Sequence, residues 1–207
     1  ITTWDGCAES ITKNGKDSLK QRVLNLDFST LRKKKKTLKL VSKMISGVQF
    51  KSLTGEKTAM ANYSFYLGAT EDNLEQIKLL DPAKHCGVKV FMGASTGNLL
   101  VENAQALEGI FRDSPVLIVT HCESGPVIAE NLQQYQQQAK TPGITDHPLI
   151  RDAKACYASS SYAVSLAKKY QSQLHVLHIT TEKELSLFTE GPVANKAITA
   201  EACVHQV

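Results

Sequence analysis

Five short segments rich in apolar and β-branched residues punctuate the chain: 62–69 (NYSFYLGA), 86–92 (CGVKVFM), 116–121 (VLIVTH), 174–180 (LHVLHIT) and 196–203 (KAITAEAC). Each has the length and texture of a strand, and VLIVTH is apolar enough to be buried on both faces. The stretches between them carry helical period. In TEDNLEQIKLLDP, Leu74, Ile77 and Leu80 share one face, Thr70 is a candidate N-cap, Glu71 and Asp72 suit the first turn, and Asp81-Pro82 ends the run. LVENAQALEGIFRDSP is a second amphipathic helix, residues 125–139 a third, and 181–188 another. After a loop at 141–147, Pro148 suits a first helical position, and 149–170 reads as one long helix. Strands separated by helices must run parallel, because the chain crosses over before each new strand. The fold class is therefore α/β, closed either as an open doubly wound sheet or as a (β/α)8 TIM-type barrel.

The chemistry sits where those strands end. His121 closes one strand, His178 lies near the end of the next, and Lys89 stands between Val88 and Val90 on an earlier one. In a barrel such ends converge on one mouth. No strand is followed by GxGxxG or a Walker loop, so a dinucleotide or P-loop site is not expected. Two imidazoles suit Zn²⁺ and leave room for an oxygen donor and water. Lysine is a poor ligand as an ammonium, but a neutral amine can take up CO₂ as a carbamate, which is a carboxylate on a long arm. The plainer reading makes Lys89 a strand lysine with its head in water, and the two histidines satisfied strand residues.

With 42% hydrophobic residues in 207, the chain can bury a core, and 21% charged residues with net charge +4 fit a globular protein. Five scattered cysteines without a CxxC pair argue against a disulfide scaffold or zinc ribbon and for a reducing, cytoplasmic setting. No apolar run approaches the ~20 residues of a membrane span, and Asp5 and Glu9 do not suit a signal peptide. Residues 1–54 read as a separate basic segment. The run Arg32–Lys36 lacks interleaved aromatics, so a solvated face is expected there and nucleic acid is not expected as a partner.

Over residues 61–204 the chain resembles dihydroorotase, a cyclic amidohydrolase of the metal-dependent amidohydrolase superfamily. The resemblance is carried by NYSFYLGATEDNLEQIKLLDP, CGVKVFMGASTGN, VLIVTHCES, DHPLIRDAKACYASSSYAVSLAKKY, LHVLHITT and ITAEACVH, in that order and spacing. It implies a TIM-type barrel, with residues 55–207 its central part. It implies that Lys89 is carboxylated and bridges two zinc ions, that His121 and His178 hold the second zinc, and that Thr96, Gly97 and Asn98 belong to a loop closing over the small-molecule substrate. The implied reaction interconverts dihydroorotate and N-carbamoyl aspartate in pyrimidine biosynthesis. The STGN loop separates this wording from that of dihydropyrimidinase, the related alternative.

The sequence also departs from that pattern. The family's first zinc is held by His-x-His on an opening strand, whereas all six histidines here lie at His85 or later and none forms that pair. A late-strand aspartate, the family's general base, finds no match, and His205-Gln206 stands where a histidine pair is usual. The implied barrel is thus incomplete at both ends, and no catalytic base is assigned. About one zinc is expected for this stretch. A non-catalytic barrel serving as an assembly partner is the rival reading, and a homo-oligomer is compatible with either.

The other tempting residues read more plainly. Glu123 either braces His121 from behind or is an ordinary helix-start carboxylate. Cys122 has no neighbouring base and reads as packing. Ser159, Ser160 and Ser161 read as small packing residues, His147 as loop or cap, and His175 as facing away from the site by strand parity.

Overall fold

The computed structural model describes residues 60, 64–93, 95, 99–137 and 141–203. The segment 1–54, its basic run, and the loop residues Thr96, Gly97 and Asn98 lie outside the described residues. The elements run β1 (Leu67–Gly68), α1 (Leu74–Lys78), β2 (Val88–Phe91), α2 (Ala104–Asp113), β3 (Ile118–His121) and α3 (Gly125–Gln137). A 3₁₀ turn (Ile144–Asp146), α4 (His147–Ile150), α5 (Ala153–Tyr170), β4 (Leu174–Val176), α6 (Glu182–Leu185) and β5 (Ile198–Ala200) follow.

All the strand pairs are parallel, and the spatial order β1-β2-β3-β4-β5 is the chain order. A doubly wound sheet reverses its order at a switch point. This sheet does not, so each crossover advances in the same sense, as in a barrel wall. Register then sorts the side chains. Val88, Ile118, Leu174 and Ile198 align across the sheet, as do Lys89, Val119, His175 and Thr199. The first set lies under the helices, where Val88, Val90, Ile118, Leu174 and Val176 are buried against Ile77, Leu107, Ile110, Phe111, Val164 and Ala167. The second set, with Phe91 and His121 above it, faces the inner side of the arc.

Helix boundaries follow local chemistry and differ from the sequence reading at α1, at the α4–α5 break and at α6, which ends at Leu185 rather than at 188. Thr70 does not cap α1. Its hydroxyl donates to Asp72 Oδ1 (2.6 Å), and the N-cap is Asn73. Asn73 ties the β1–α1 turn together, accepting from Thr70 N (2.9 Å) and donating to Gly68 O (2.9 Å). The long helix 149–170 is broken. Arg151 takes φ −103, ψ 67, and Asp152 starts α5 afresh by accepting from Ala155 N at 2.9 Å. That carboxylate serves a free helix N-terminus better than it would a helix interior, which explains the break. Strands are shorter than read at every position; in 174–180, pairing as regular strand ends at Val176. Among the described residues no helix is long and apolar enough to cross a membrane.

Candidate functional site

At the C-terminal end of β3 the chain reads Thr120-His121-Cys122-Glu123. Thr120 turns under the helices and is fully buried, so His121 turns inward. His178 needs a different device. Continued alternation beyond His175 would send residue 178 to the helix side. His178 instead has φ +42, uncommon for a residue with a Cβ, and its ring meets His121. His121 Nδ1 and His178 Nε2 lie 3.0 Å apart, with ring centroids 4.9 Å apart and an edge-on arrangement. Lys89 projects from the same face on the neighbouring strand, two residues before Phe91, the register partner of His121. Its Nζ sits 4.7 Å from the centre of the Phe91 ring.

Behind His121 stands a bracing pair. His121 Nε2 and Glu123 Oε2 are 3.2 Å apart, and Arg151 grips the same carboxylate with both arms, Nε donating to Oε1 at 2.9 Å and Nη2 to Oε2. The break between α4 and α5 is what delivers Arg151 to this position. α4 is held against α3 by Asn131 Nδ2 donating to Ile150 O (3.0 Å) and Tyr135 Oη donating to Asp146 Oδ1 (2.8 Å). Gly93, just past β2, lets its loop pass the Glu123 backbone. A Cβ there would fall 2.0 Å from the Glu123 carbonyl oxygen, so a side chain at 93 would push the bracing carboxylate out of place.

The electrostatics follow from this packing. Burial alone would raise the Glu123 carboxyl, but the hydrogen bonds from His121 and Arg151 outweigh it and hold the group at about 2. Burial, reinforced by the nearby charges of His121 and Lys89, pushes His178 down to about 4. Both shifts favour the folded protein above the ordinary values of 6.5 and 4.5, and the benefit is lost as pH falls toward the folded values. For His178 the contribution is at most ~3 kcal/mol, less after solvent screening. The metal-free protein is therefore expected to lose stability steadily between pH 6.5 and about 4. Urea midpoints across that range provide the check, and a flat profile would contradict the burial of a neutral His178.

The donor set can be tested against a metal. Facing nitrogens 3.0 Å apart approach the roughly 3.3 Å that two imidazoles span across a tetrahedral Zn²⁺ at ~2.05 Å. Glu123 occupies the far nitrogen of His121. The facing nitrogens of the two rings converge. Two imidazole donors fit. Among the described residues no group of three or more His, Cys, Asp or Glu side chains could hold a metal unaided; Lys89, on the same face, would become an oxygen donor if converted to its carbamate.

Sequence reasoning placed Lys89, His121 and His178 together. It misjudged His175, whose register partner Val119 lies two residues before His121, which puts His175 on the same inner face as Lys89. Its Nδ1 meets Thr199 Oγ1 at 2.9 Å and its Nε2 meets Glu201 Oε2 at 3.2 Å. Parity failed because it was counted from His178, the residue whose backbone departs from strand geometry. Arg151 had no sequence signal beyond standing before a capping aspartate. The plain readings of Cys122 and the serines fit the structure. The Cys122 thiol donates to Thr120 Oγ1 (3.3 Å) and burial pushes it up to about 11, while Ser160 bonds the buried Glu184.

Known proteins share this wall. No protein-family model matches the chain. It is 23% identical over 159 residues to an allantoinase of Deinococcus radiodurans, covering 75% of this chain and 35% of that protein. Among solved structures, the L-hydantoinase (dihydropyrimidinase) of Arthrobacter aurescens superposes with a TM-score of 0.67 at 19% identity, over 77% of this chain and 36% of that one. The D-hydantoinase (dihydropyrimidinase) of Thermus sp. gives 0.64 at 16%, over 79% and 36%. The chain is an arc of a TIM-type barrel. It spans about a third of the length of the relatives it matches.

Proposed function

We propose that the complete protein is a metal-dependent cyclic-amide hydrolase in which His121, His178 and a carboxylated Lys89 hold a divalent cation. The observation that carries this reading is the convergence of His121 Nδ1 and His178 Nε2 at 3.0 Å, on the inner face that also bears Lys89. A cation such as Zn²⁺, when bound there, supplies Lewis acidity toward a ring carbonyl and acidifies water. The chain's own residues prepare the place. Glu123 and Arg151 fix the His121 ring, the positive φ of His178 aims its ring inward, and Phe91 packs against Lys89. Carbamate formation requires a neutral Lys89 amine, whose nitrogen bonds the CO₂ carbon with loss of one proton. Burial of the Lys89 Nζ on the inner face disfavours the competing ammonium.

The sequence resemblance points to dihydroorotate as the ring opened, with Thr96, Gly97 and Asn98 closing over it. The likeness to an allantoinase and to hydantoinases supports the broader class of cyclic amides and ureides, and a dihydropyrimidinase-type substrate is the second reading it favours. A panel of dihydroorotate, dihydrouracil, hydantoin and allantoin, assayed with the complete zinc- and bicarbonate-supplied protein, separates them. Ring opening of at least one is expected, with dihydroorotate fastest. Inactivity toward all four would overturn the enzymatic reading in favour of a barrel kept for assembly with a partner.

A further inference from the structure

The Glu123–Arg151 pair does more than fill space behind a strand end. Glu123 follows β3, while Arg151 arrives from the break between α4 and α5, 28 residues later. Two independent elements thus meet on one carboxylate, and that carboxylate touches one ring. Glu123 Oε2 lies 3.2 Å from His121 Nε2. An ionised carboxylate can only accept, so the nitrogen facing it must carry the hydrogen. Neutral imidazole has one N–H, so His121 Nδ1 is left with its lone pair directed at His178, 3.0 Å away. Arg151 donates to both carboxylate oxygens, so Glu123 cannot swing away from the ring without breaking a bidentate bond.

We infer that Glu123, held by Arg151, is the positioning residue that fixes His121 in its Nε2–H tautomer and so presents Nδ1 to whatever lies between the two histidines. The metal consequence rests on the proposed function; the tautomer does not. Carboxylates behind metal-bound imidazoles commonly act this way, and their loss weakens metal binding by ~10–100-fold. Without metal, His178 fills the gap by donating Nε2–H to His121 Nδ1.

The test is long-range ¹H–¹⁵N correlation on the complete, metal-free, ¹⁵N-histidine-labelled protein at a pH where the rings are neutral. His121 is assigned by the signals missing in His121→Gln. The unmutated protein should show His121 protonated at Nε2 alone. An Nδ1–H tautomer or an even mixture overturns the inference without any variant. In Glu123→Ala the preference should collapse toward a mixture, while Glu123→Gln, which keeps an acceptor oxygen, should retain most of it. A Glu123→Ala protein that folds and keeps the pure Nε2–H form also overturns it. Zinc titration of the same variants is the second arm, with a ~10–100-fold weaker dissociation constant expected for Glu123→Ala. A lost tautomer preference with unchanged zinc affinity upholds the positioning role and overturns the metal assignment instead.

Discussion

On the proposed function, exchanging His178 for alanine in the complete protein is expected to lower ring-opening turnover by roughly 10³-fold or more and to remove most of the zinc assigned to this site. Losing a partner that only orients a ligand costs ~10–100-fold. Losing the ligand forfeits both carbonyl polarisation and water activation, so the larger figure applies. His121→Ala should behave alike, because each ring supplies one of the two converging nitrogens. Lys89→Arg is the informative companion. It keeps a positive charge on the strand but stays protonated and cannot take up CO₂, so it should fail like the histidine variants if the carbamate is what matters. Zinc per chain and turnover are measured together. Unchanged zinc in both histidine variants would sink the site assignment. Near-normal turnover in Lys89→Arg would show that an ordinary cation suffices there.

Phe111→Ala is expected to cost about 3–5 kcal/mol of stability. Phe111 lies at the end of α2, has no exposed surface, and belongs to the cluster formed with the outer face of the sheet. It is the largest of the fully buried side chains. Truncation removes ring burial and leaves a cavity that the surrounding Val and Ile side chains, β-branched and stiff, cannot refill cheaply. The denaturant midpoint should fall at nearly constant slope. A loss under ~1 kcal/mol would mean that α2 is not packed on the sheet as the structure has it.

The two exchanges address opposite faces of one sheet, and those faces were not equally legible in the sequence. On the outer face, apolar residues recur at the period of their element. Leu107, Ile110 and Phe111 fall on one side of α2, and Val88 with Val90 on one side of β2, so burial could be read directly. Element order was equally plain, since alternating strands and helices can only give parallel crossovers. Barrel against open sheet was not decided by periodicity, because both closures use the same units. The unreversed strand order resolved it.

The inner face was legible only where a strand stayed regular. His121 could be placed by its position at the end of β3, and Lys89 by its position within β2. His178 lies beyond β4 at φ +42, and a period of two cannot be carried through such a residue. Counting from it therefore put His175 on the wrong side.

By itself the sequence determined the α/β class and the amphipathic texture of its elements, because these depend on local period, and it nominated Lys89, His121 and His178 as candidates through residue type and family resemblance. Tertiary structure alone decided how those residues are aimed. Arg151 reaches Glu123 across 28 residues, through a helix break that Asp152 caps, and His178 reaches His121 across 57 residues through a left-handed backbone turn. Contacts at such separations are set by the packing of whole elements, and neither composition nor spacing along the chain encodes the meeting of two side chains that only the folded sheet and its helices bring within 3 Å.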